Sequence, residues 1–273
     1  MKNPSLFAFA LLSSVSICAP AVAGSSSWFE TDGARMRLIS LPAPDGKTLR
    51  AGLQFEMQEG WKTYWRSPGG SGLPPQIQFL GSKNVAKAQM RLPVPSLYRD
   101  EAGTSIGYKG NVVFPIEVKL AASGRPATLA ASGVVGICSD ICIPVPFQLS
   151  VEESAAGGSS FDIIRALNKA QSNLPKAAIE GFSIKSASSD EAAQAVTVSA
   201  TVPKGSGEAN LFVEGPSSWY LSAGKLTSQK ENSATFTIDV QDAPSDSTIV
   251  GTELVLTLVA NGKGIEQKIK ITK

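Results

Sequence analysis

Two closely spaced cysteines are the residues of this sequence best suited to chemistry. Cys138 and Cys142 are separated by three residues, Ser139-Asp140-Ile141. In a hairpin, three intervening residues can bring the two Cα atoms to the spacing of about 5.5–6 Å that a disulfide needs. A close pair of thiols usually forms such a bond in an oxidising compartment. The pair is therefore the candidate site, and it predicts thiol–disulfide chemistry.

The length of the loop between the cysteines bears on whether the bond is redox-active or structural. A Cys138–Cys142 bond would close a very short loop, and the stabilisation from constraining an unfolded chain grows with loop length. The bond would add little stability, which favours a redox role. The structural interpretation stays open, because most disulfides of secreted proteins are structural.

Metal and cofactor sites are harder to build from this sequence. Soft thiolates select Cu(I), so copper binding by the two cysteines is an open alternative. Two thiolates without histidine make an incomplete zinc site. We therefore predict no metal site and no cofactor.

The chain has 273 residues and no histidine. This excludes a Ser-His-Asp triad, a Cys-His nucleophile pair and any imidazole metal ligand. A hairpin offers no helix N-terminus to lower the pKa of a thiol, and Asp140 should raise it. We therefore expect exchange with an already activated partner thiol rather than independent catalysis.

Composition predicts a globular β protein without a nucleic-acid partner. The net charge is +2, whereas a nucleic-acid binder normally carries a basic surplus. Hydrophobic residues make up 42% and charged residues 18%, so the chain can bury a core. The 25 glycines and 17 prolines suit a turn-rich β fold.

The first residues form an export signal. Lys2 precedes an apolar stretch, Leu6 to Ile17, and Ala21-Val22-Ala23 is a cleavage pattern. We expect residues 1–23 to be removed before Gly24, and Cys18 with them. No later stretch reaches the roughly 18 apolar residues of a membrane helix. The mature chain is expected in the periplasm, without stable membrane insertion.

The remaining chain is predicted to be all-β, with two sandwich domains. Alternation at Leu53, Phe55 and Met57 indicates a half-buried strand, and other segments repeat the pattern or lead into and out of the cysteine segment. The further strands are 111–120, 128–135, 146–151, 196–202, 236–240 and 254–258, with a hairpin turn at 261–264. Pro115 is expected only at a sheet edge or bulge.

The predicted boundaries follow changes in composition. They are 24–152 for the cysteine domain, 153–180 for a linker and short helix, and 181–273 for the second sandwich. Ser160 can cap the helix and Pro175 ends it, while one of its faces carries Phe161, Ile164 and Leu167. The second sandwich is expected to be a spacer, a docking surface or a stabilising partner.

An aromatic segment, Trp61-Lys62-Thr63-Tyr64-Trp65-Arg66, is the second notable feature. In a strand, Trp61, Thr63 and Trp65 share one face and Tyr64 points the other way. These aromatics either fill the core or form a wall around the cysteines.

Two other segments are expected to lie at the surface. Residues 67–75 are Gly-rich but lack the Gly-Lys-Ser/Thr ending of a phosphate loop, so we predict a rigid surface loop. Asp100 and Glu101 are adjacent carboxylates, and nothing near them indicates the cleft of a glycosidase. A solvated face is expected there.

Several motifs, taken in order, resemble the N-terminal periplasmic region of the DsbD-type thiol:disulfide interchange proteins. They most resemble its ScsB branch (suppressor of copper sensitivity). The resemblance covers roughly residues 28–151, and it depends on the segments Gly60–Gly69, Ser71–Pro75, Gly107–Gly110, Val112–Pro115 and Cys138–Pro144.

The resemblance implies an immunoglobulin-like sandwich with the cysteine pair in a hairpin. Cys142 would form mixed disulfides with partners, and Cys138 would resolve them. The partners would be a membrane-embedded, DsbD- or CcdA-like electron donor and periplasmic thioredoxin-fold proteins, so the chain would act as a component of a protein-disulfide reductase. The implied surroundings of the active site are Trp61, Tyr64, Asp100, Glu101, Tyr108 and Asp140.

The sequence also departs from the family pattern. The chain ends after the second β domain, so electrons are expected to come from a separate membrane protein. Ala102-Gly103-Thr104 follows Asp100-Glu101, so no aromatic cap over the cysteines is predicted. Two alternatives stay open: a non-redox binding module with a structural disulfide, and a Cu(I)-binding protein of copper tolerance.

Overall fold

A computed structural model describes most of the chain, and it is built almost entirely of β-strands. The described residues are 24–69, 72–100, 103–153, 160–190, 194–216, 218–219, 221, 223–240 and 248–273. Within these ranges the chain forms strands in four sheets and one α-helix. The predicted all-β fold class is confirmed.

The first sandwich is formed by β1 to β11. These strands are β1 (Phe29–Thr31), β2 (Ala34–Pro42), β3 (Thr48–Met57), β4 (Lys62–Tyr64), β5 (Gln76–Gln78), β6 (Val85–Met90), β7 (Ser96–Asp100), β8 (Gly103–Lys109), β9 (Asn111–Leu120), β10 (Ala127–Cys138) and β11 (Cys142–Glu153). One sheet, here called the support sheet, has the order β1-β2-β3-β9-β6. The other, here called the cysteine sheet, has the order β11-β10-β4-β8-β7, with β5 pairing with β10.

The core of the first sandwich lies between these two sheets. Phe55 and Phe114 are fully buried, with ring centroids 4.9 Å apart. Tyr108 of the cysteine sheet reaches Phe114 across the core, at 5.1 Å between centroids. The alternation predicted for Leu53, Phe55 and Met57 is confirmed, since all three are buried in this cluster.

Pro115 occupies an interior strand, which differs from the expected edge or bulge. It pairs with Gly52 of β3. On the other side, the pairing between β6 and β9 ends at Met90 and Ile116, and the N–H of Arg91 donates to the Pro115 carbonyl. Proline is tolerated here because the regular ladder with β6 has ended.

The single described helix, α1 (Phe161–Ser172), packs on the outer face of the support sheet. Ile163 and Leu167 are buried against Ile39 and Leu41. The expected face was only partly right, because Phe161 is 75% exposed. Ser160 takes the N-cap position without a side-chain cap hydrogen bond, and the helix ends before Pro175, as predicted.

The second sandwich packs a four-stranded sheet on a three-stranded one. Its strands are β12 (Ser183–Asp190), β13 (Ala195–Thr201), β14 (Asn210–Glu214), β15 (Lys225–Lys230), β16 (Ser233–Asp239), β17 (Glu253–Ala260) and β18 (Lys263–Lys270). The sheet orders are β12-β13-β16-β15 and β14-β17-β18. Val198, Phe236 and Leu256 are fully buried in its own core. We propose the predicted boundaries, 24–152, 153–180 and 181–273, as the domain limits.

The two sandwiches contact each other beside β4. The Trp65 ring packs on Phe212 of β14, with centroids 5.8 Å apart. Arg66 donates two hydrogen bonds of 2.7 Å to the carboxylate of Glu214, and it also contacts Glu266 of β18. The residues directly after β4 are therefore held by the second sandwich.

The part of the chain that the structure describes contains no helix with the length and apolar character needed to cross a membrane.

Removing the central aromatic of the first core should weaken the fold. Phe114→Ala is expected to lower the free energy of unfolding by roughly 3–5 kcal/mol, because Phe114 contacts both Phe55 and Tyr108. Urea denaturation of the oxidised protein measures this. Leu80, which is 75% exposed, provides the control, since Leu80→Ala should change stability by less than about 0.5 kcal/mol. Equal effects of the two substitutions would contradict the described core.

Candidate functional site: a disulfide at the end of a hairpin

The cysteine pair closes a long antiparallel hairpin. β10 and β11 pair from Ala127 and Glu153 to Cys138 and Cys142, which lie directly opposite each other and form a disulfide. Their Cα atoms are 4.2 Å apart. This is closer than the predicted 5.5–6 Å, because directly opposed residues at a non-hydrogen-bonded position of an antiparallel pair approach to about 4.5 Å.

The two cysteines differ in their access to solvent. Cys138 is completely buried, with 0% of its surface exposed. Cys142 is exposed, and the neighbouring Ile141 at the tip of the hairpin is 75% exposed. A thiolate from another protein can therefore approach Cys142, whereas Cys138 is shielded.

Strand β4 lies on the other side of β10 from β11, and it places Lys62 and Tyr64 beside the cysteine pair. Lys62 is opposite Cys138 in the register, and Thr63 is opposite Ile137. Directly opposed residues project to the same face of a sheet, so Lys62 and Tyr64 share the face of Cys138. Lys62 is only 4% exposed. A cation close to a buried cysteine favours its thiolate form.

Tyr64 makes the direct contact with the disulfide. Its hydroxyl lies 2.9 Å from the Sγ atom of Cys142. A disulfide sulfur carries no hydrogen, so the phenol O–H donates in the oxidised state. The same O–H can donate to a Cys142 thiolate, which would lower the pKa of that thiol.

Three glycines make room for Tyr64. A Cβ atom on Gly136 would lie 3.0 Å from the Tyr64 ring, and one on Gly72 would lie 2.8 Å from it. A Cβ on Gly107 of β8 would lie 3.0 Å from the Tyr64 Cα and overlap the Thr63 carbonyl. Larger residues at these positions would displace Tyr64 from the sulfur.

The Gly-rich segment after β4 covers part of the site, so the prediction of a plain surface loop was incomplete. Leu73 lies over Gly136, whose Cβ position is 3.0 Å from the Leu73 Cβ. The Pro68 carbonyl accepts a hydrogen bond of 3.0 Å from the N–H of Ile106. The hydrogen bond at Pro68 and the contact of Leu73 with Gly136 hold this Gly-rich segment against the cysteine sheet.

Two of the predicted surrounding residues have their described contacts elsewhere. The Trp61 ring covers Gly33, a residue with φ of 74° between β1 and β2, where a Cβ would overlap the indole. Tyr108 lies on the inner face of the cysteine sheet and donates a hydrogen bond of 2.7 Å to the Pro93 carbonyl. Burial raises the pKa of the Tyr108 hydroxyl well above its usual value, against an opposing effect of the Arg66 charge.

The predicted carboxylates are placed as follows. Asp140 is exposed in the turn between the cysteines. Asp100 pairs with Gly103 at the tip of the β7–β8 hairpin, whereas Gly107 of β8 pairs with Tyr64. Glu101 lies outside the described residues.

Within the described ranges, no group of three or more histidine, cysteine or acidic side chains is placed to hold a metal ion.

Lys62 and the packing role of the glycines were not predicted from the sequence. The strand alternation that separates Tyr64 from Trp61 and Trp65 also places Lys62 with Tyr64, so the signal for Lys62 was present. No comparable signal exists for Gly72 and Gly136. A side chain at either position would collide with the ring of Tyr64, which approaches from another part of the chain.

Comparisons with known proteins agree with this architecture. Residues 34–151 match the family described as thiol:disulfide interchange protein DsbD, N-terminal, and residues 173–273 match a domain of unknown function, DUF8393. The comparison with curated proteins found no match.

A solved structure, the N-terminal periplasmic domain of ScsB from Proteus mirabilis, shares the fold, with a TM-score of 0.75 at 24% identity. The match covers 92% of this chain and 99% of that one. Together with the family match, it confirms the resemblance seen in the motifs. Residues 34–151, which match the model of the DsbD N-terminal family, carry both the disulfide and Tyr64.

Proposed function

We propose that this protein is a periplasmic thiol–disulfide interchange protein that transfers reducing equivalents through Cys138 and Cys142. The observation that supports this most is the unequal exposure of the pair, with Cys142 accessible and Cys138 completely buried. A structural staple needs no such asymmetry. Exchange does, because one sulfur must accept an in-line attack while the other acts within the molecule.

The exchange consists of two balanced steps. In the reduced protein, the Cys142 thiolate attacks the disulfide of a substrate protein, forming a mixed disulfide and releasing one substrate thiolate. Cys138 then attacks Cys142 Sγ as a thiolate, which restores the internal disulfide and releases the second substrate thiolate. Two electrons pass to the substrate, whose thiolates take up two protons. A donor dithiol reverses the sequence by attacking Cys142.

In this scheme Tyr64 assists Cys142, and Lys62 assists Cys138. The Tyr64 hydroxyl stabilises Cys142 when it is the attacking thiolate. Lys62, opposite Cys138 in the register, favours Cys138 as the leaving thiolate when a donor opens the disulfide. These two side chains supply what the missing histidine would otherwise provide.

The second sandwich stabilises the segment that carries these side chains. Arg66 is two residues from Tyr64, and its guanidinium stacks on Trp65 at 4.4 Å while it bonds Glu214. Burial lowers the pKa of Arg66, but the hydrogen bonds and charges of Glu214 and Glu266 raise it overall. The charge is therefore retained, and the contact positions β4 against β10.

The partners proposed for the relay are a membrane-embedded electron donor and periplasmic thioredoxin-fold proteins.

Removing the resolving cysteine should trap a partner. Cys138→Ser, reduced and exposed to periplasmic extract, is expected to accumulate a mixed disulfide through Cys142, because no internal thiolate remains to resolve it. Non-reducing electrophoresis with mass spectrometry detects the adduct. Cys142→Ser is the matched control and should trap far less, since Cys138 is buried.

The reduction potential of the wild-type pair separates the relay from its alternatives. A relay requires a value above about −300 mV, whereas a structural bond should lie below it. Absence of a trapped partner together with a value below this limit would favour a non-redox binding module. Cu(I) binding that is lost on replacing either cysteine, without trapping, would favour a copper protein.

Tyr64→Phe should weaken Cys142 as a nucleophile while preserving the fold. A hydrogen bond to a charged group contributes about 1.5–3 kcal/mol, so its loss should raise the pKa of the Cys142 thiol by about one to two pH units. The pH dependence of alkylation in the Cys138→Ser background measures this. Tyr98→Phe on β7 is the control and should leave the pKa unchanged. An unchanged pKa in Tyr64→Phe would show that the phenol does not act on the reduced sulfur.

Arg66→Met should affect both stability and the cysteine site. Losing the bonds to Glu214 and Glu266 is expected to cost about 1–3 kcal/mol of unfolding free energy and to raise the Cys142 pKa by loosening Tyr64. Arg35→Met is the matched control, because Arg35 also bonds a glutamate, Glu56, and stacks on a tryptophan ring at 4.4 Å. It should cost less than about 1 kcal/mol and leave the pKa unchanged. Lost stability with an unchanged pKa in Arg66→Met would contradict the positioning role.

A further inference from the structure

A buried carboxylate at the end of β11 lacks a cationic partner among the described residues. Glu153 is 5% exposed. Its Oε2 atom accepts a hydrogen bond of 2.6 Å from the hydroxyl of Ser40, which is itself 0% exposed. No ion pair joins Glu153 to a lysine or arginine in the described ranges. A carboxylate buried in this way is costly unless a positive charge or further donors compensate it.

Gly24 lies directly against this carboxylate. It is buried, and its carbonyl accepts a hydrogen bond of 2.7 Å from the N–H of Ser40. The bridge between Ser25 and Ile39 and the bond from the N–H of Ser26 to the Leu38 carbonyl, at 2.9 Å, extend this attachment along β2. The position of the Gly24 Cα is therefore determined by backbone pairing.

The space beside the Gly24 Cα is narrow and is lined by the side chains of Glu153, Ser40 and Val151. A Cβ atom there would lie 2.7 Å from Glu153 Oε2 and would also contact the Ser40 hydroxyl. The nitrogen and the Cβ position on one Cα are about 2.5 Å apart, so the Gly24 nitrogen lies within about 5.2 Å of Oε2. A side chain would collide with these neighbours, so only glycine fits this position without displacing them.

Gly24 also follows the cleavage pattern Ala21-Val22-Ala23. We infer that the α-amino group created by cleavage between Ala23 and Gly24 is the cationic partner of Glu153, so that leader removal completes the first sandwich. A processing peptidase hydrolyses the peptide bond with one water molecule. The bond yields a carboxylate on Ala23 and an amine on Gly24, and the amine takes up a proton to become an ammonium group.

The freed ammonium can reach the carboxylate without moving the backbone. The pairing with Ser40 holds the Gly24 carbonyl, but rotation about the Cα–C bond is free once the preceding residue is gone. That rotation carries the nitrogen toward the position of a Cβ, 2.7 Å from Glu153 Oε2, where small shifts of the Ser40 and Val151 side chains make room for the ammonium group. Before cleavage the same nitrogen is an uncharged amide bound to Ala23, so it can neither rotate there nor neutralise the carboxylate.

A double-mutant cycle tests this pairing. The mature chain beginning at Gly24 is compared with a chain that retains Ala23, each with and without Glu153→Gln, by urea denaturation of the oxidised proteins. Retaining Ala23 should lower the folding equilibrium constant roughly tenfold or more, and so should Glu153→Gln. The two changes together should cost no more than one of them, since either removes the same interaction. Glu152→Gln, at the exposed neighbouring position, should have little effect.

Two further measurements use the wild-type protein, so they test the pairing even if a variant fails to fold. Intact mass of the exported protein should correspond to a chain beginning at Gly24. Acylation at neutral pH should modify the Gly24 amine of the folded wild type at least tenfold more slowly than in urea. A different first residue, fast acylation in the folded state, or additive effects in the cycle would overturn the inference.

Discussion

The register of β10 between β11 and β4 is the constraint on which the site depends. Strand β11 places Cys142 opposite Cys138, and strand β4 places Lys62 opposite Cys138. A slip of one position would turn every side chain of β10 to the opposite face. Cys138 would then point into the core, and Ile137 would take its place beside the hairpin turn. The buried alternation of β10 and β11 therefore specifies the chemistry as well as the fold.

The segment from Trp61 to Ser67 connects the disulfide to both sandwiches. The segment contacts the first sandwich through its first four residues: Trp61 covers Gly33, Lys62 pairs with Cys138, Thr63 bonds the Gly136 carbonyl and Tyr64 contacts Cys142. Its last three residues contact the second sandwich: Trp65 packs on Phe212, Arg66 bonds Glu214 and Ser67 bonds the Val213 carbonyl. Because an extended strand alternates its faces, one short stretch can contribute to the core, the site and the domain contact at once. This arrangement connects the second sandwich to the segment that lies beside the cysteines.

The sequence allowed the local features to be predicted better than the contacts between distant segments. The alternation of Leu53, Phe55 and Met57, the cysteine hairpin and the direction of Tyr64 all follow from the period of a strand. The helix face could not be chosen correctly, because burial of Ile163 rather than Phe161 depends on where the helix lies on the support sheet. The bond between Arg66 and Glu214 joins residues 148 positions apart, and no local pattern indicates such a pairing.

The exposure of a single sulfur also limits how a relay can operate. Donor and substrate must both react at Cys142, since Cys138 is completely buried. Because both partners would react at the same sulfur atom, they must bind in turn. Discrimination between them then depends on the oxidation state of the pair: a disulfide reacts only with a donor thiolate, and a dithiol only with a substrate disulfide. The tyrosine O–H suits this alternation, because it can donate to Cys142 in either state.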